Sequence, residues 1–224
     1  MASKIAVTGT GRSGTNFFAI VLTELGRDVK HEAMGSDGIA SWSIVPNVND
    51  AVYGPGGAVL TDDFVIGHQV RNPLKTIGSL TTFNRTSWRY ISEHSPSLPN
   101  KIMHRAMVHW LDWNGRAVDM ASHTWKLEDF EGTQPAILSD LGWEVSAEDW
   151  ASAYKRARHG ANTGATRANN SLFNPKVGPI TQWRRYVYNN RKEPVSWEEL
   201  SKIDAGLTLE IQNFAHSLGY EIKR

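Results

Sequence analysis

Three short stretches hold the residue types that could work on an anionic ligand. The first is Gly9-Thr10-Gly11-Arg12-Ser13-Gly14-Thr15-Asn16, which follows the apolar run Ile5–Val7 and opens a helical pattern at Thr15. Gly11 and Gly14 permit close backbone approach. The exposed N–H groups of such a turn, with the positive end of the following helix, favour phosphate. Arg12, Ser13, Thr15 and Asn16 add charge and hydrogen bonds for an oxyanion. The same glycines would also serve a tight strand–helix connection with no ligand. The spacing approaches G-x-x-x-x-G-K-[ST], the loop that kinases and nucleotide hydrolases use with its Lys and hydroxyl. Here Thr15-Asn16 occupy those two positions, and the cation lies earlier, at Arg12.

The second stretch is Arg71-Asn72-Pro73, followed by Ser79. Arg71 at a strand end and Ser79 on the next helix could converge on one anionic group, or Arg71 could be a surface ion-pair partner. The third is His31-Glu32, which offers a general base close to the edge of the Gly-rich turn. Either residue could instead be a hydrogen-bonded structural group. No metal triad is evident. His104 and His109 are five residues apart on a helical pattern and do not share a face. His68 reads as a ligand contact or a satisfied strand-end residue, and Asp62-Asp63 as a surface turn.

The elements that must position these groups follow from periodicity and punctuation. Phe18, Leu22 and Leu25 recur at helical spacing over Thr15–Leu25, and Gly26 stops that helix. Asp28–Lys30 predicts a short second strand, and Met34–Gly57, rich in Gly, Pro, Asn and Ser, an irregular segment. Phe64–Val70 predicts a buried strand. Pro73 predicts the first position of a helix running through Ile77 and Leu80. Met103–Met120 reads as a long helix and His123–Lys126 as a late strand with an acidic turn. Ile137–Leu141 and Trp150–Arg158 read as helices, Asn162–Pro179 as a loop, and Trp197–Leu218 as one amphipathic helix. Strands alternating with helices predict an α/β fold with a mostly parallel central sheet, ligands lying beyond the strand C-termini.

The chain of 224 residues reads as a single domain, 1–224. It is 40% hydrophobic and 21% charged, with no apolar run long enough to span a membrane and no basic-then-apolar leader. Cytoplasmic localisation and no membrane partner are the expectations. With no Cys, disulfides, thiolate nucleophiles and Cys-based zinc sites are excluded. The net charge of +1 hides a basic segment: from Trp150 to Lys192 there are nine Lys and Arg and no Asp or Glu. This stretch is a cationic wall over an anionic ligand, a nucleic-acid surface or a solvated face. Its loop-like Gly and Asn content argues against a regular basic helix.

Taken together, these motifs resemble the 3′-phosphoadenylyl-sulfate-dependent sulfotransferase family. Gly11-Arg12-Ser13-Gly14-Thr15-Asn16 looks like its 5′-phosphosulfate loop, and Val70-Arg71-Asn72-Pro73 with Ser79 resembles its 3′-phosphate element. Trp125-Lys126-Leu127-Glu128-Asp129-Phe130 resembles its late strand and acidic turn, and Leu138–Trp143 and Leu209–Tyr220 its later helices. Gly178-Pro179-Ile180-Thr181-Gln182-Trp183-Arg184 loosely resembles its C-terminal donor loop, departing from the Arg-Lys-Gly and Gly-Asp-Trp pattern.

The resemblance implies a P-loop-containing three-layer fold. It implies 3′-phosphoadenylyl sulfate as donor and 3′-phosphoadenosine 5′-phosphate as product, with Lys176, Gly178, Trp183 and Arg184 as further donor contacts. Trp183 would stack on adenine, position the loop or simply pack in the core. Glu32 would be the catalytic base, with His31 as alternative base or orienting residue, and Arg12 would neutralise the transferring group. The acceptor would be a small molecule, glycan or peptide, and Trp42, Tyr53, Phe83, Trp88, Tyr90 and Trp110 would line its pocket or build core. An ATP-dependent small-molecule kinase and a non-enzymatic nucleotide or nucleic-acid binding protein are the rivals, nucleic acid being the less favoured partner.

Overall fold

The structure is a computed structural model, and it describes residues 4–47, 60–95, 97–132, 134–158 and 194–222. Five strands form one all-parallel sheet, with helices on both faces. They are β1 (Lys4–Thr8), β2 (Val29–His31), β3 (Gly38–Ala40), β4 (Phe64–Val70) and β5 (His123–Lys126), in spatial order β2-β3-β1-β4-β5. β1 sits at the centre, Ile5 in register with Gly38 of β3 and Val65 of β4. From Ile5 to Thr8 it is wholly buried, as expected for a strand covered on both faces.

Among the described residues the helices are α1 (Thr15–Glu24), α2 (Pro73–Leu80), α3 (Arg85–His94), α4 (Ile102–Met120), α5 (Ile137–Asp140), α6 (147–158), α7 (Trp197–Ile203) and α8 (Ala205–Ser217). Alternation along the strands divides the core. Ile5, Val7, Val29 and Ala40 pack with Phe18 and Leu22 of α1, Ile137 of α5 and Ala153 of α6. On the opposite side, Val70 packs with Ile77 of α2, Ile91 of α3, Trp110 of α4, Leu200 of α7 and Ile211 of α8.

Topology creates a crevice at the strand C-termini. The chain leaves β1 through α1 on one face and leaves β4 through α2 on the other. Because β1 and β4 are hydrogen-bonded neighbours, their outgoing loops diverge, which is where open α/β sheets bind ligands.

Several helix starts follow from capping. The Asn72 carboxamide accepts from Lys75 N–H with Pro73 in the first turn, and Asn84 caps α3 through Ser87 N–H. Ser196 and Glu199 form a reciprocal capping box on α7.

Two expectations are corrected and one element is added. The segment read as irregular, Met34–Gly57, contains β3 and a 3-10 turn over Trp42–Ile44, inserted between β2 and β1. The Asn- and Arg-rich stretch after α2 forms α3, which the sequence reading left unassigned. The single C-terminal helix is two helices, because Asp204 adopts extended backbone and its carboxylate accepts from Leu207 N–H, ending α7 and capping α8. The expected loop Asn162–Pro179 lies outside the described residues. Among the described residues, no helix is long and apolar enough to cross a membrane.

Candidate functional site: a cationic cleft at the strand ends

The cleft lies where the topology places it, beyond the C-termini of β1, β2 and β4. Its volume is about 410 Å³, and Arg12, Thr15, Asn16, His31, Glu32, Arg71, Ser79, Trp42 and Phe83 are among its lining residues. Eight residues named from sequence as donor-binding or catalytic thus share one surface: Arg12, Gly14, Thr15, Asn16, His31, Glu32, Arg71 and Ser79. Gly11 and Ser13, also named from sequence, are buried and are not among the lining residues. Lys176, Gly178, Trp183 and Arg184 lie outside the described residues.

The β1–α1 loop is held open by its glycines and by one polar strut. Gly14 has φ +95 and caps α1 without a side-chain bond. The first helical bond is Phe18 N–H to the Gly14 carbonyl at 3.1 Å, so the amides of Thr15, Asn16 and Phe17 have no helical acceptor. Gln69, fully buried near the end of β4, donates its amide to the Ser13 carbonyl at 2.9 Å and accepts from the Trp125 indole at 3.3 Å. A side chain on Gly11 would strike Phe83, whose ring lies 2.1 Å from the place of its Cβ. Beneath the loop, the hydroxyls of Thr8, Thr10 and Ser13 are buried without a hydrogen-bond partner.

Arg12 and Arg71 make the cleft positive. Arg12, at φ +70, donates to Thr82 Oγ1 at 3.2 Å and lies over the Phe83 ring at 4.9 Å. Arg71 donates to the Arg12 carbonyl at 3.3 Å, which ties the β4–α2 turn to the β1–α1 loop. Among the ion pairs of the described residues, neither guanidinium takes part. Desolvation lowers the Arg12 pKa from its ordinary value, with Glu32 opposing and Arg71 reinforcing that shift. Arginine stays charged through such a change, and Arg12 remains open to solvent. Two neighbouring guanidiniums outside any ion pair of the described residues suit an anionic ligand.

Glu32 faces them from the end of β2. Its φ of +55 is left-handed, a cost of order 1 kcal/mol for a residue with a Cβ. Of three such non-glycine residues among those described, two are Arg12 and Glu32. The Trp42 indole donates to Glu32 Oε1 at 2.8 Å. His31 Nε2 stands 3.9 Å from the same oxygen, beyond hydrogen-bonding distance. The carboxylate is therefore oriented by Trp42, a residue placed in a candidate acceptor pocket but not as a partner of Glu32. Burial lowers the His31 pKa against the opposing pull of Glu32.

The aromatic candidates divide. Trp42 and Phe83 line the cleft, their rings 5.4 Å apart, whereas Trp88, Tyr90 and Trp110 belong to the core behind it. Tyr53 lies outside the described residues. His68 is a satisfied structural residue, bonded to Asn114 at 2.9 Å and Thr124 at 3.3 Å, with burial driving its pKa down to about 4. His109 points into the aromatic core, and His104 pairs with Asp204 at 3.2 Å. Gln69 was missed; its signal was a polar side chain in an apolar strand, which must find buried partners.

Comparison of the chain with protein-family models, with curated proteins and with solved structures finds no match.

Proposed function

We propose that the chain transfers a sulfonyl group from 3′-phosphoadenylyl sulfate to a hydroxyl or amine acceptor. The observation that carries this reading is the convergence of two unpaired guanidiniums, on loops from adjacent strands, with one carboxylate across the cleft. The Gly-rich loop, its free amides and Arg12 suit the 5′-phosphosulfate end. Arg71 and Ser79 suit the 3′-phosphate. The sequence resemblance points to the same division of labour.

In this reading Arg12 and the α1 amides stabilise the charge that collects on the departing phosphate oxygen. Glu32, held by Trp42, takes the proton of the acceptor as its oxygen or nitrogen bonds to sulfur and the sulfur–phosphate oxygen bond breaks. The nucleotide product is 3′-phosphoadenosine 5′-phosphate. The aromatic pair Trp42 and Phe83 bounds the acceptor side. A kinase reading lacks the Lys that would follow Gly14, and a purely binding role leaves the strained, indole-bonded Glu32 without a task.

Arg71→Ala is expected to weaken 3′-phosphoadenosine 5′-phosphate by roughly 10–100-fold, the value of one or two charged hydrogen bonds. Adenosine 5′-phosphate, which lacks the 3′ group, should lose far less. Isothermal titration of both ligands into wild type and variant checks this. Equal weakening of the two removes the 3′-phosphate from Arg71.

A further inference from the structure

Glu128 stands against the turn that carries Arg71, and both of its carboxylate oxygens are engaged by donors. It lies in the 3-10 turn Leu127–Asp129 that follows β5, the strand paired with β4, so it faces the Arg71-Asn72 turn. One oxygen accepts from Asn72 N–H at 2.9 Å. The other accepts from the Tyr220 hydroxyl, also at 2.9 Å. Asn72 is the N-cap of α2, so its amide has no partner within the helix. Tyr220 follows the end of α8 and is held there by Lys126, whose ammonium donates to the Gly219 carbonyl at 3.3 Å, pairs with Asp129 at 3.4 Å and sits 5.6 Å from the Tyr220 ring.

We propose that Glu128 is a positioning residue for the 3′-phosphate end of the cleft: it fixes the peptide that carries Arg71 and latches that turn to the C-terminal segment through Tyr220. This inference rests on the assignment of Arg71 to a 3′-phosphate. Arg71 is constrained from two sides, its following amide by Glu128 and its guanidinium by the Arg12 carbonyl. Each Glu128 oxygen is engaged by a donor, which blunts its repulsion of a neighbouring phosphate. Burial and the adjacent Glu128 raise the Tyr220 pKa, so the phenol remains a donor.

The test compares Glu128→Ala, Glu128→Gln, Tyr220→Phe and Arg71→Ala, each confirmed folded by circular dichroism. Every variant is titrated with 3′-phosphoadenosine 5′-phosphate and with adenosine 5′-phosphate. Glu128→Ala should weaken the first ligand roughly tenfold and leave the second within about twofold, one hydrogen-bonded anchor having been lost. Glu128→Gln should stay near wild type, because its carbonyl accepts from Asn72 N–H while its amide donates to the Tyr220 oxygen. Tyr220→Phe should show a smaller loss in the same direction, and keeps the test alive should Glu128→Ala not fold. If Arg71→Ala is selective but Glu128→Ala and Tyr220→Phe are not, the positioning role is overturned and the cleft assignment stands. If Arg71→Ala itself shows no selectivity, the cleft assignment fails and the positioning role with it.

Discussion

Replacing Glu32 with Gln is expected to lower single-turnover sulfonyl transfer by about 10²–10⁴-fold, the usual worth of a general base. Donor affinity should remain close to wild type. The substitution keeps the size of the side chain and can still accept from the Trp42 indole, so the 2.8 Å bond that orients it survives. What is lost is the charge that takes the acceptor proton. Release of 3′-phosphoadenosine 5′-phosphate from saturating donor, with a mixed pool of phenol, sugar and tyrosyl-peptide acceptors, measures the effect. Trp42→Phe removes the orienting donor and should cause a smaller loss. Normal transfer by Glu32→Gln, with none by His31→Ala, would move the base to His31, whose lowered pKa leaves more of its neutral form available.

Gly14→Val should cost both stability and donor binding. A β-branched residue is strongly disfavoured at the φ of +95 found here. Its Cβ would also stand 2.7 Å from a Leu127 methyl and 3.1 Å from the Gln69 amide that braces Ser13. Leu127 can yield, but the left-handed backbone and the Gln69 strut cannot both be kept. A loss of about 2–3 kcal/mol would lower the melting temperature by roughly 5–10 °C in a chain of this size. Displacing the start of α1 also misaims its free amides, so donor affinity should fall by at least roughly tenfold. Arg12→Ala is the contrast: binding weakens while melting stays near wild type. A Gly14→Val protein with wild-type melting and binding would show that the loop does not hold the ligand.

The parts of this molecule that were legible in sequence are those written in local chemistry. β4 is an apolar run ended by Asn72-Pro73, and its bounds fall where that punctuation places them. The helix following Gly14 was legible for the same reason. β3 was not, because Gly38-Ile39-Ala40 is three residues long and owes its place to the strands on either side. α3 has too few apolar positions to announce itself, and its Asn84 cap was the available signal. Asp204 was hidden inside an unbroken apolar period, although its residue type is that of a cap.

The site shows the same divide. Arg12, Arg71, Ser79 and Glu32 stand in recognisable contexts, and the sheet brings them to one cleft. The residues that hold them in place, Gln69 behind the loop, Trp42 on Glu32 and Glu128 on Asn72, reach across 56, 10 and 56 positions of sequence. Local pattern carries no trace of such pairings; only the order of strands creates them.

Under the proposed function, this cleft recognises an adenosine nucleotide carrying a 3′-phosphate and a 5′-phosphosulfate. Titration of the wild-type protein with 3′-phosphoadenylyl sulfate, 3′-phosphoadenosine 5′-phosphate, adenosine 5′-phosphosulfate and magnesium ATP tests it directly. The two 3′-phosphorylated ligands should bind at least roughly tenfold more tightly than adenosine 5′-phosphosulfate, the difference one charged hydrogen bond supplies, and more tightly than ATP. Equal affinity with and without the 3′-phosphate, or tightest binding of magnesium ATP, would contradict the account.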